Sequence, residues 1–152
     1  MSPIRTLTLA SAVAATLFST AVWAHDDDGC PWVNPLRSAE ETLAARNAAL
    51  AAGDLQGAMC AYAKDAVVIM PGSVIRGRDD ITTSFASFAA LFGGEMPTIV
   101  TQTSTYAALM ITYTITGPML SIPDGSDTFV VVAGRIVLQT VHATVVPTAM
   151  AP

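Results

Sequence analysis

His142 is the residue of this chain best suited to moving a proton. The sequence holds two histidines, and imidazole is the one side chain whose ordinary pKa lies close to neutrality. Tyr62 and Tyr113 could donate hydrogen bonds inside an apolar cavity, although such a residue is more often a core tyrosine with its hydroxyl at an edge. The other histidine, His25, is followed by Asp26, Asp27 and Asp28. An imidazole beside carboxylates can hold a divalent metal. Three adjacent aspartates also repel one another and read as a solvated tail, so no metal site is expected. Cys30 and Cys60 are the only thiols. In an oxidising compartment they predict one disulfide. The alternatives are two free thiols or a catalytic thiol, the latter without a patterned histidine beside it. The chain has no phosphate-binding loop, dinucleotide fingerprint, zinc spacing or serine elbow, and no cofactor is expected.

Composition narrows the setting. The chain has 152 residues, of which 52% are hydrophobic and 12% charged, with a net charge of -5. That length suits one domain with a proper core. Without a basic cluster, neither a nucleic-acid backbone nor an anionic membrane surface is an expected partner. Residues 1–24 carry Arg5, an apolar run and Ala21-Val22-Trp23-Ala24, the pattern of a signal peptide cleaved after Ala24. The mature chain is therefore expected in a periplasm or outside the cell. Residues 25–37 are expected as a tail, 38–147 as the domain and 148–152 as a second tail.

The elements follow from spacing and punctuation. Ser38 and Glu41 form a capping box that starts a helix at Ala39. Gly53 stops that helix, and Asp54 caps a second, expected over 55–63. Residues 65–70 form an apolar strand turned by Pro71-Gly72. Arg78-Asp79-Asp80 opens a third helix, on which Ile81, Phe85, Phe88 and Phe92 share a face. Strands are expected over 98–106, 109–116, 127–132 and 135–146, the last two joined as a hairpin by Ala133-Gly134. Residues 119–126 are expected as a loop, with Pro123-Asp124-Gly125 as its turn. The sum is an α+β domain: a curved antiparallel sheet wrapped around about three N-terminal helices.

Ala52-Gly53-Asp54, Tyr62-Ala63-Lys64-Asp65-Ala66, Pro71-Gly72, Gly77-Arg78 and Ile81, in this order and spacing, resemble the nuclear-transport-factor-2-like superfamily. Within it they resemble the SnoaL-like and ketosteroid-isomerase-like branch. Asp127-Thr128-Phe129-Val130-Val131 and Gly134-Arg135-Ile136-Val137 extend the resemblance over residues 38–146. The resemblance implies a cone-shaped, largely apolar pocket bounded by Tyr62, Met70, Phe85, Phe88, Tyr113 and Gln139. Arg46, on the first helix, is a further pocket candidate, although such an arginine more often faces solvent. The steroid-isomerase base would fall at Met70, which cannot accept a proton, and its donor tyrosine at about Arg46. The cyclase His and Asp would fall at Gln139 and Val141.

The missing acids and bases point to a domain that binds a small, neutral, apolar molecule. One alternative is an isomerase, dehydratase or hydrolase using His142 or the pocket tyrosines. Another is a dimeric association module. If Gln139 faces the pocket, His142 faces the outer side of the sheet, where it would serve a homodimer interface. Ile136, Leu138, Thr140 and His142 would share that outer face.

Overall fold

The computed structural model describes residues 29–148. Helix α1 (Ala39–Ala51) starts on the expected capping box: Ser38 Oγ accepts from the Glu41 amide, and Glu41 accepts from the Ser38 amide at 2.8 Å. Helix α2 (Leu55–Met59) is capped by Asp54, which accepts from the Gly57 amide at 2.8 Å. Then come β1 (Tyr62–Met70), β2 (Ser73–Arg76) and α3 (Arg78–Leu91), followed by β3 (Thr98–Ser104), β4 (Ala108–Thr116), β5 (Leu120–Val132), β6 (Arg135–His142) and β7 (Val146–Pro147). The strands form one curved, unclosed sheet in the order β2-β1-β6-β5-β4-β3, with β7 paired to β5. The expected α+β architecture is the observed one.

Besides the unexpected short strands β2 and β7 and a last long strand that ends at His142 rather than at residue 146, three details differ from the expectation, each because sheet pairing outweighs local preference. The second helix ends at Met59 rather than at residue 63. Tyr62 pairs with Ile136, and the Ala61 carbonyl accepts from the Ile136 amide at 2.8 Å, so this segment belongs to the sheet. The sheet is mixed: β1 and β2 form a hairpin, α3 crosses over, and β6 returns beside β1 in parallel. Residues 119–126 are largely strand. Pro123 and Asp124 form a bulge inside the 13-residue β5, between Ile122 paired with Ile115 and Gly125 paired with Tyr113. Proline lacks a ladder donor and is tolerated at such a bulge.

The core lies between the concave sheet face and the helices, around Leu43, Met59, Tyr62, Ile81, Phe92, Leu109, Phe129 and Ile136. Cys30 and Cys60 are bridged with their Cα atoms 5.5 Å apart, fastening the leading segment to the end of α2. By loop entropy such a bridge contributes about 3 to 4 kcal/mol. It also fits an oxidising location. Among the described residues no helix is long and apolar enough to cross a membrane. The expected signal peptide and His25 lie outside the described residues.

Candidate functional site

Ala39, Thr42, Leu43 and Arg46 are the buried residues of α1, spaced as one helical stripe. That spacing carries Arg46 inward, against the expectation that it faces solvent; its exposure is 8%. The guanidinium carbon lies 5.2 Å from the Phe85 ring centroid, 5.7 Å from that of Tyr62 and 5.9 Å from that of Phe129. These ring faces offset part of the cost of burying the cation. Nη1 donates to Asn47 Oδ1 at 3.1 Å, while Nε has no partner.

Opposite Arg46, β1, β4, β5 and β6 bring together a hydrogen-bonded chain. Tyr62 donates to Gln139 Oε1 at 2.6 Å, and Gln139 Nε2 donates to Asp127 Oδ2 at 2.7 Å. Tyr113 donates to Asp127 Oδ1 at 3.2 Å. Tyr113 has room to do so because it pairs with Gly125, where a Cβ would lie 2.4 Å from the ring. Burial pushes the Asp127 carboxyl up to about 6, against the opposing pull of Gln139, Tyr113 and the Arg46 charge. Burial also raises both Tyr62 and Tyr113 above the ordinary phenol value, and the Asp127 charge adds to this.

Arg46, Tyr113 and Asp127 border a cavity of about 370 Å³. Its walls are mostly apolar: Val68, Ile75, Ile81, Ile111, Ile115 and Val141 inside, with Met96, Pro97 and Ile99 from the connector and β3. Of the expected pocket residues, Arg46, Met70, Phe85, Phe88 and Tyr113 line it. Tyr62 and Gln139 instead stand behind Asp127 in the hydrogen-bonded chain. His142 is exposed at the end of β6 and is not among the lining residues. An extra residue on β6 between Ile136 and Leu138 shifts the register, turning Gln139 inward and His142 outward. The same shift separates Ile136, which is fully buried, from Leu138, Thr140 and His142. The expected outer run therefore keeps only its last three members.

The sequence reading missed Asp127, which gives the cavity an acid that Met70 and Val141 do not supply. The available signal was its alternation with Phe129 and Val131, a charged residue in the buried phase of an apolar strand. Among the described residues no cluster of potential metal ligands occurs.

An α+β cone with a walled cavity and few polar groups is the architecture of nuclear-transport-factor-2-like proteins. The chain belongs to the SnoaL-like domain family, whose model matches residues 43–139. No curated protein sequence matches it. Among solved structures it is similar to an NTF-2 like protein of unknown function from Burkholderia xenovorans, with 22% identity over 74% of this chain and 86% of that one, at a TM-score of 0.58. It is also similar to a Kribbella flavida protein provisionally assigned as a ketosteroid isomerase, with 17% identity over 73% and 78% of the two chains and a TM-score of 0.59. TerC co-crystallized with polyporic acid shares 15% identity over 69% of this chain and 90% of that one, with a TM-score of 0.59.

Proposed function

We propose that this chain is an exported domain that binds a small, largely apolar molecule in its cone. The cavity of about 370 Å³ and its aliphatic and aromatic walls carry this reading. Such a volume suits a small organic ligand, which gains from leaving water at about 25 cal/mol per Å² of apolar surface. The co-crystal of TerC with polyporic acid supports a small organic occupant for this type of cone. The Cys30–Cys60 bridge supports export, and a mature mass beginning at His25 would check it.

Calorimetric titration with the neutral probe 2-naphthamide tests the binding. One saturable site per chain is expected, weakened about tenfold by Met70→Asp, which sets a carboxylate in the apolar wall. Absence of saturable binding removes the proposal.

A second reading rests on Asp127. A carboxylate with a pKa of about 6 could take a proton from one ligand atom and return it to another, an isomerisation that consumes nothing else. The provisionally assigned isomerase among the similar structures supports that class. Turnover that disappears in Asp127→Asn, with 2-naphthamide binding retained, would favour it over simple binding.

A further inference from the structure

Arg46 is a cation that the cavity does not fully satisfy. Guanidinium cannot lose its charge in a protein, and a buried donor without a partner costs stability. The side chain is 92% buried by its 8% exposure, lines the cavity, and has an unpartnered Nε. Phe85 and Phe129 offer Arg46 only ring faces, and Tyr62 adds its hydroxyl oxygen, which still leaves Nε without a partner. Asn47 takes only one Nη1 donor. Asp127 does not answer the need: both its oxygens are engaged, by Gln139 and Tyr113, and Arg46 acts on it as a through-space charge.

The occupant of the cavity is placed to supply the acceptor that Nε lacks. A neutral apolar molecule would leave the cation desolvated and unpaired. An acidic oxygen supplies both the lone pair and the opposite charge, and charge-assisted bonds of this kind are the strong ones. The rest of the wall asks for hydrocarbon.

We infer that the occupant is an apolar molecule carrying one acidic oxygen, such as a carboxylate, phenolate or enolate, which docks on Arg46. The inference rests on the binding reading above and replaces the neutral ligand expected from the sequence. That expectation held only while Arg46 faced solvent.

The test pairs 2-naphthoate with its neutral isostere 2-naphthamide at pH 7. Wild-type protein should bind the acid about tenfold or more tightly than the amide, the value of one hydrogen bond to a charged group. Arg46→Met should abolish that preference, so that the acid binds no more tightly than the amide. If the variant does not fold, the wild-type protein still decides: 2-naphthoate, and not 2-naphthamide, should shift the Arg46 Nε–H resonance. Equal binding of both probes, or a preference for the amide, overturns the inference while the cavity remains a binding site. Binding of neither probe overturns the cavity reading and this inference with it.

Discussion

Asp124 and Asp127 lie three residues apart on β5 and live in opposite worlds. Asp124 is exposed and accepts from the Thr144 amide and hydroxyl, both at 2.9 Å, which holds its carboxyl below the ordinary value. Asp127 is buried against the cavity, and desolvation lifts it to about 6 even though Gln139 and Tyr113 bond to it. Hydrogen bonds to the charged form lower a carboxyl pKa in both places; burial reverses the outcome in one. The bulge at Pro123-Asp124 assigns the two environments. Beyond it the inward phase falls on Gly125, Asp127, Phe129 and Val131; before it, on Ile122. Without that extra residue, Asp124 would share the phase of Ile122 and turn inward.

The most damaging way to break the contrast is to crowd Tyr113 off Asp127. Gly125→Val should do so, because even a Cβ there meets the ring at 2.4 Å. Overpacking of this kind should cost about 3 kcal/mol of unfolding free energy. A urea unfolding midpoint equal to the wild type's would show that the strand accommodates the group and that Gly125 does not hold the ring in place.

A smaller effect sharpens the contrast through pH. The folded-state pKa of Asp127, about 6, lies above the roughly 3.9 of an unfolded aspartate. The native state therefore holds this proton more tightly. The resulting stabilisation, about 3 kcal/mol, is fully present below about pH 4 and is lost as pH rises through 6. Asp124 has the opposite sign: its lowered pKa contributes stability above the ordinary carboxylate range that is lost as pH falls. Across this window Tyr62 and Tyr113 stay neutral. Unfolding at a series of pH values should show Asp127→Asn flattening the decline between about pH 4 and 6. Asp124→Asn should leave that decline in place and change only the acid limb. An unchanged slope in Asp127→Asn would mean that its carboxyl is not held in apolar surroundings.

The least effect is expected on the outer face. His142→Ala should change stability by no more than about 0.5 kcal/mol, with affinity for 2-naphthamide unchanged. If the outer face pairs two chains, as we propose from the Leu138, Thr140 and His142 side of β6, this variant should shift the dimer fraction seen by light scattering. A large loss of ligand affinity in this variant would put the working site on the wrong side of the sheet.

Much of this was legible from local chemistry. The Ser38–Glu41 box, the Asp54 cap, the Ile81–Phe92 stripe and the Ala133-Gly134 hairpin all formed where residue types and spacing placed them. Such signals act over four or five residues, so the chain carries them without its partners. Arg46 was harder to place. Alanines at 44, 45, 48 and 49 give α1 almost no contrast between its faces, and only the spacing of Ala39, Thr42, Leu43 and Arg46 hints at the buried one.

What the sequence determined by itself was the order of the three helices and the main strands, the family and the pair of cysteines. What only the tertiary structure decided was which side chains reach the cavity. One extra residue on β5 keeps Asp124 outside while Ile122 and Asp127 both face inward, and one on β6 turns Gln139 inward and His142 out. Side chains on a strand alternate with a period of two, so each single-residue bulge inverts every assignment beyond it. The position of a bulge depends on how two strands distant in sequence settle against one another, and nothing within either strand specifies it.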